Sequence, residues 1–397
     1  MNEPYYPEQD EHQIPLGVKY ETKPLWAEIE LTFGVGATGA AVVIAAFEAS
    51  FTGLSVSYSR NRNYYGRHRH RLLKYEAVCQ AVDRLAAAGW IHHYKQAPGN
   101  RGWQSAFEAT PELIDTMQNI MAGEPRLKLA RLPQTTILRD ENGKPLDYNR
   151  TRQIDRQDRK TEGFNEAISA AEINHAEPSN VVGLPTLACP LARIHNKNFG
   201  RGGRFYAMGA SWQNIKSEAR RALTIDGEPA VELDFDGMHI AMLYAEAGLP
   251  LPQDCHDISG WPRKLVKVAT FTLINATTEK AARMSIAHSE HLGELAEPGS
   301  QDAIGKARAL IEAIKNRHAP IAGQLHSDAG ARLMRKDSDI AEAVMAELIL
   351  RRGIVALPIH DSFLVPASKR DELQEAMMEA AHKIMGVYLS VSEAGSK

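Results

Sequence analysis

The strongest constraint on the fold is an apolar, β-branched run that a charged pair interrupts. Residues 356–366 read ALPIHDSFLVP, with His360 and Asp361 between two apolar segments. Short apolar segments of this kind are typical of strands, and polar residues between two of them mark the connecting turn. The stretch therefore predicts a β-hairpin that carries the Asp361 carboxylate at its bend, either solvated at the turn or positioned for chemistry.

A second strand is predicted to end at an aspartate. In VELDFDGMHIAMLYAEAG, the residues Val231, Leu233 and Phe235 alternate as in a strand, with Asp234 between them, and a helix that ends at Gly248 follows. An Asp before a helix is also a common cap. Two Asp residues on adjacent strands of one sheet, however, can ligate a pair of Mg²⁺ ions, which need only one or two protein carboxylates.

The helix predicted after the hairpin, SKRDELQEAMMEAAHKI, is expected to begin with a capping box formed by Ser368 and Asp371. Its apolar residues are spaced so that one face packs on the sheet.

A third stretch, RKLVKVATFTLINA, predicts a helix with one chemically distinct face. Four residues recur at every fourth position, namely Arg263, Lys267, Phe271 and Asn275. Two cations followed by an aromatic ring could meet a triphosphate and then a base. The alternative is an ordinary amphipathic helix, but cations at a helix amino terminus oppose the macrodipole, which favours a functional reason for them.

A fourth stretch, GRGGRFYAMGASWQNI, combines glycines with residues suited to nucleic acid. Arg204, Tyr206, Gln213 and Asn214 could supply phosphate, stacking and base-edge contacts. The alternative is a flexible glycine-rich connector.

The first 120 residues predict a winged helix-turn-helix that binds DNA. Helices are expected at residues 37–51 and 74–90, followed by two short strands that flank a turn. Nine Lys and Arg residues lie between residues 59 and 101, against only two acids. The candidate phosphate contacts are Arg60, Arg62, Arg67, Arg69, Arg71, Lys74 and Arg101. The alternative is a small α+β module with a solvated basic face.

The remaining chain extends this α+β class. Residues 121–195 predict a hairpin and a polar helix, and form either a thumb-like helical arm or a spacer; residues 196–397 alternate short strands with helices. The chain of 397 residues thus predicts three units. Its polar start is unlike a signal peptide, its apolar runs are too short to span a bilayer, and its three cysteines match no disulfide or zinc pattern, so a cytoplasmic location is expected.

In order and spacing, the four stretches resemble the motifs of family A DNA polymerases, of the DNA polymerase I type, and of phage-type single-subunit RNA polymerases. The resemblance covers about residues 200–390 and implies a palm, an antiparallel sheet packed by helices, with reduced helical fingers. It implies that Asp234 and Asp361 are catalytic and bind two Mg²⁺ ions, which Mn²⁺ can replace, together with the Phe235 carbonyl. The implied nucleotide contacts are His239, Arg263, Lys267, Phe271 and Asn275, and the implied primer–template contacts are Arg204, Tyr206, Gln213, Asn214 and His360.

The departures from these families leave the substrate open. His239 stands where family A DNA polymerases have a Glu, and Asn275 stands where they have a Tyr. The expected function is template-directed nucleotidyl transfer in the replication of a mobile element, with a DNA template and nucleoside triphosphates as partners and either sugar possible. The alternatives are a DNA-binding initiator with a degenerate palm and a two-metal nuclease in which Asp236 adds a third carboxylate.

Overall fold

The structure is a computed structural model that combines helices with mainly antiparallel sheets, which confirms the α+β class. It describes residues 13–18, 20, 23–51, 53–65, 72–96, 104–122, 129–141, 143–175, 187–293, 295–327 and 329–394. Within these ranges the strands form three sheets, and all but two of their pairings are antiparallel.

The amino-terminal unit, residues 13–122, packs four helices against one small sheet. Its helices are α1 (Lys23–Phe33), α2 (Ala37–Ser50), α3 (Tyr75–Ala87) and α4 (Pro111–Met121). Its strands are β1 (Ile14–Pro15), β2 (Val56–Tyr58), β3 (Ile91–Tyr94) and β4 (Ser105–Ala109), in the order β1-β2-β4-β3. The two predicted helices and the predicted strand pair are therefore confirmed.

Apolar spacing explains how these helices pack. The Ala- and Val-rich helix α2 is buried along most of its length, whereas α3 buries one face through Val78, Val82 and Leu85. Taken singly, the helices in the part of the chain that the structure describes are too short or too polar to cross a membrane. Helices α1 and α2 reach the required length only as a pair, and they bend by 94° where they meet.

A second sheet joins the segment after residue 121 to the rest of the chain. It contains β5 (Thr136–Arg139), β6 (Pro145–Leu146), β8 (Leu191–Asn196) and β9 (Gly202–Ala207), in the order β6-β5-β8-β9. Helix α5 (Arg152–Ala170) and strand β7 (Ile173–His175) lie between β6 and β8 in sequence. The predicted hairpin and polar helix are thus present. The unit boundary predicted after residue 195 falls within β8, which pairs on both sides.

The central sheet contains the aspartate-bearing strands. After α6 (Ser217–Arg220) come β10 (Leu223–Ile225) and β11 (Glu228–Phe235), and the carboxyl-terminal strands are β12 (Leu357–Ile359), β13 (Ser362–Pro366) and β14 (Val391–Glu393). The order is β12-β13-β11-β10-β7, and β14 also pairs with β11. The predicted hairpin is the β12–β13 pair, with His360 and Asp361 at its turn.

Six α-helices follow β11 in the chain. They are α7 (Met238–Glu246), α8 (Arg263–Asn275), α9 (Glu279–Ala287), α10 (Gln301–Arg317), α11 (Ala329–Met345) and α12 (Arg370–Met385). Leu233 and Phe235 of β11 are buried in the main core, and α12 packs on β11 and β13. Cys79, Cys189 and Cys255 are all buried.

The predicted capping box at the start of α12 is wrong. The helix begins at Arg370, and neither Ser368 nor Asp371 caps it. Instead, the backbone N–H and the hydroxyl of Ser368 both donate to the carboxylate of Glu228, the first residue of β11. The tertiary contact therefore displaces the local cap.

Candidate functional site

The two predicted carboxylates lie at the same end of the central sheet. Strand β11 pairs with β13 so that Asp234 stands opposite Ser362, the residue after Asp361. The Phe235 N–H donates to the Asp361 carbonyl at 3.4 Å, so the backbones of these two residues adjoin. The structure thus brings Asp234, Phe235 and Asp361 together on adjacent strands, as the sequence predicts.

Asp234 is in an unfavourable environment for an isolated carboxylate. Its Oδ1 atom is buried and accepts no hydrogen bond from the described residues. Burial, followed by the negative charge of Asp361, raises the pKa of Asp234 to about 7, although the positive charge of Lys267 opposes this rise. A bound divalent cation would relieve the burial and the repulsion together. The donor set, two carboxylates and a backbone carbonyl, suits Mg²⁺.

The neighbouring acids already have protein partners. Glu232 accepts from the guanidinium of Arg220 at 2.9 and 3.1 Å and from the Ser362 hydroxyl at 2.7 Å. Asp236 accepts from the Ser392 hydroxyl at 2.6 Å. Within the described ranges, no group of three or more His, Cys, Asp or Glu residues is arranged to hold a metal ion. Any cation here would therefore depend on the Asp234–Asp361 pair, its own water ligands and the substrate.

Helix α8 presents the predicted cationic and aromatic face. Its bounds are those of the predicted motif, and Arg263, Lys267 and Phe271 are all exposed along one side. Phe271 leaves 54% of its surface exposed, which is unusual for a Phe in a helix whose other face is buried. Lys267 is close enough to Asp234 to act on its pKa. Arg263 donates to the Asp254 carboxylate at 3.2 Å, which leaves part of its guanidinium free for another anion.

The side chain of Asn275, the last residue of that face, is used in contacts within the fold. Its amide donates to the Phe271 carbonyl at 2.8 Å. Its Oδ1 atom lies only 1.8 Å from where a Cβ would stand at Gly330, the second residue of α11. The glycine therefore allows α8 and α11 to approach closely at this point. Asn275 as a nucleotide contact stays a prediction.

His239 is buried beside Phe271 and contacts an acid that the sequence analysis does not single out. The two rings are nearly parallel, with centroids 6.2 Å apart and an angle of 15°. The Nε2 atom of His239 lies 3.3 Å from Oδ2 of Asp337, in α11. The same oxygen accepts from Nε of Arg204 at 2.9 Å. In sequence, Asp337 is part of the charged run RKDSD, which is typical of a solvated face, so no local signal distinguishes it.

Two of the predicted primer–template residues meet at the hairpin turn. The rings of Tyr206 and His360 are in edge contact, with centroids 5.9 Å apart. His360 is exposed, and its backbone lies in the left-handed region with φ of 57°. Strand β9 thus places Tyr206 beside the turn that carries Asp361.

Gln213 and Asn214 instead support the backbone. The Gln213 amide donates to the carbonyls of Phe205 and Pro358 at 3.1 and 2.8 Å, and it accepts from the Ala207 N–H at 2.9 Å. The Asn214 carbonyl oxygen accepts from the N–H of Ser211 in a capping box. Gln213 therefore ties β9 to β12, two residues before His360. Nucleic-acid contacts by this pair stay a prediction.

The described basic residues of the amino-terminal unit differ in whether an acidic side chain already pairs with them. Arg60 forms a two-pronged ion pair with Asp83 at 2.9 and 2.6 Å, and Arg62 pairs with Glu76 at 2.5 Å. Lys74 is exposed immediately before α3. The remaining predicted contacts, Arg67, Arg69, Arg71 and Arg101, lie outside the described residues.

No protein-family model matches this chain, and neither does any curated protein. The functional assignment therefore depends on the residues of this chain and their geometry.

Proposed function

We propose that the chain is a template-directed nucleotidyltransferase that uses two Mg²⁺ ions, which Mn²⁺ can replace, on a DNA template. The observation that carries the proposal is the buried Asp234 Oδ1 atom, which lacks a hydrogen-bond partner among the described residues and stands beside Asp361. Lys267 on the exposed face of α8 lies near the same carboxylate, so a site for cations adjoins a surface for phosphates and a base.

Each residue has a distinct task in this proposal. Asp234, Asp361 and the Phe235 carbonyl hold the metal ions. When bound, these ions would activate a 3′-hydroxyl and neutralise the charge of the leaving pyrophosphate. Arg263 and Lys267 bind and orient the triphosphate, and Phe271 offers its exposed ring to the base.

The strand to be extended approaches from the other side of the carboxylate pair. Tyr206 and His360 form the surface there, and Gln213 holds their two strands in place. The reacting ends of strand and nucleotide thus meet over Asp234 and Asp361. The charges of the site, rather than covalent chemistry by a side chain, supply most of the catalysis.

The proposal includes two finer structural assignments. The central sheet with its helices is a polymerase-type palm, and α8 with its neighbours forms reduced fingers. The amino-terminal unit is a winged helix-turn-helix in which α3 enters a DNA groove and the β3–β4 pair is the wing. The exposed Lys74 at the start of α3 and the amphipathic pattern of that helix support the second assignment.

The test is extension of a labelled primer on a DNA template, with Mg²⁺ or Mn²⁺ and with dNTPs and NTPs in separate reactions. We expect template-dependent products that disappear in Asp234→Asn and Asp361→Asn. Asp236→Asn is the matched control, because Asp236 is a neighbouring acid that already accepts from Ser392. Loss of synthesis in the control to the same extent, or synthesis that persists in both site variants, would refute the proposal.

A second candidate function is a DNA-binding initiator whose palm binds nucleotide without turnover. The commitment of Gln213 and Asn275 to internal contacts favours it, because two predicted substrate contacts are used by the fold. Metal-dependent nucleotide binding without extension would support this candidate. Shortening of the labelled DNA in the same reactions would instead support a nuclease.

A further inference from the structure

Asp337 is a buried acid at the junction of four elements. Its side chain has no solvent exposure, and it lies in α11 opposite β9, α7 and α8. A buried carboxylate is costly unless it is paired and hydrogen-bonded. Asp337 meets this condition through a single oxygen, Oδ2, which contacts the Arg204 guanidinium and the His239 ring. Oδ1 is buried and has no hydrogen-bond partner among the described residues.

The two groups that Asp337 contacts point to different parts of the site. Arg204 is near Asp361. Burial lowers the pKa of the Arg204 guanidinium, but the negative charges of Asp337 and Asp361 outweigh it and raise that pKa. His239 lies on the other side, parallel to the exposed Phe271 ring. One carboxylate therefore connects the carboxylate pair with the aromatic surface proposed to receive the base.

The other acids of α11 form a separate cluster. Asp339 and Glu342 pair with Arg193, whose side chain is almost completely buried. Neither acid contacts His239 or Arg204 in the described hydrogen bonds and ion pairs. This division makes Asp339 a matched control for Asp337, since it is an acid on the same helix with a different set of contacts.

We propose that Asp337 is a positioning residue for nucleotide binding, which fixes the His239 ring parallel to Phe271. The carboxylate accepts from Nε2–H of His239, so it selects one tautomer and one ring orientation. Since Arg204 occupies the same oxygen, the position of the acid is itself fixed. This inference rests on the nucleotide site of the proposed function, but it concerns binding and not turnover.

The test measures the Kd of a fluorescent Mg²⁺–nucleotide for the full chain, with primer extension recorded in parallel. The variants are Asp337→Asn, His239→Ala, the double variant and Asp339→Asn, each with a thermal unfolding curve. We expect Asp337→Asn and His239→Ala each to raise Kd by about tenfold, because the first removes the charge that strengthens the hydrogen bond to His239 and the second removes the ring itself. The double variant should bind no more weakly than His239→Ala alone, because Asp337 acts through His239. Asp339→Asn should stay within about twofold of the wild type.

Several outcomes would overturn the inference. These are an unchanged Kd in a folded Asp337→Asn, additive losses in the double variant, or an equal loss in Asp339→Asn. Should Asp337→Asn fail to fold, an unchanged Kd in His239→Ala would overturn it. A wild type that binds nucleotide but does not extend a primer refutes the polymerase and leaves this inference standing. A wild type that binds no nucleotide overturns both.

Discussion

In the absence of metal ions, Asp234→Asn is expected to stabilise the fold at neutral and alkaline pH. Most substitutions at a functional position remove favourable contacts, but Asp234 has a buried oxygen without a hydrogen-bond partner among the described residues and a like charge beside it. Asparagine has nearly the same shape and carries no charge. The variant therefore removes an unfavourable charge without creating a cavity.

The sign follows from the two pKa values of Asp234. Its pKa is about 7 in the folded chain, against an ordinary value of 3.8, so the folded state binds this proton more tightly than the unfolded state. Stability is therefore retained at low pH and is lost as the pH rises from about 4 to about 7. The difference of about three units between the two pKa values corresponds to a destabilisation of the folded state by about 4 kcal/mol. Partial exposure of the Asp234 side chain reduces this destabilisation to about 1–2 kcal/mol.

The measurement is urea unfolding of the wild type and Asp234→Asn in EDTA at two pH values. We expect the variant to be more stable by about 1–2 kcal/mol at pH 8 and by about a third of that at pH 5. Adding Mg²⁺ should stabilise the wild type by mass action and leave the variant unchanged. Asp236→Asn, which keeps an oxygen that can accept from the Ser392 hydroxyl, should show no such gain. A variant less stable than the wild type at pH 8, or a gain independent of pH, would refute the reasoning.

Three other predictions concern separate parts of the chain. Asp361→Asn should abolish primer extension while leaving the fold and DNA binding intact, and residual synthesis would contradict a metal-binding role. Gln213→Leu should lower the free energy of unfolding by about 1–3 kcal/mol in urea, because it removes three hydrogen bonds between the Gln213 side chain and the backbone; an unchanged midpoint would contradict this. Lys74→Ala should reduce the slope of log K against log salt for DNA binding by about 1, measured by fluorescence anisotropy. Arg60→Ala should leave that slope unchanged, because Arg60 is paired with Asp83, and equal slopes for the two variants would count against the distinction.

The sequence predicts those parts of the fold that depend on local periodicity. The alternation at Leu233 and Phe235, the four-residue spacing of Arg263 and Lys267, and the apolar runs around the hairpin all correspond to observed elements. The adjacency of Asp234 and Asp361 follows once both strands belong to one antiparallel sheet. These inferences succeed because side-chain period and turn chemistry are encoded within a few residues.

Local sequence patterns do not predict the contacts between distant segments. The residues around Ser368 in the sequence do not indicate that its hydroxyl donates to Glu228. The residues around Asp337 likewise do not indicate that His239 and Arg204 both contact its carboxylate. The roles of Gln213 and Asn275 depend likewise on what lies across the fold. The sequence shows which residues are polar, but tertiary packing decides whether each of them binds a ligand or the backbone.

The left-handed backbone of His360 has a consequence for how the site is prepared. A non-glycine residue at φ of 57° carries a conformational penalty of about 1–2 kcal/mol, which the paired strands on either side must offset. A bend held in this way has little freedom to fluctuate, so the direction of the next residue, Asp361, is set before any ligand arrives. Folding, and not substrate, therefore bears the entropic cost of aligning this carboxylate.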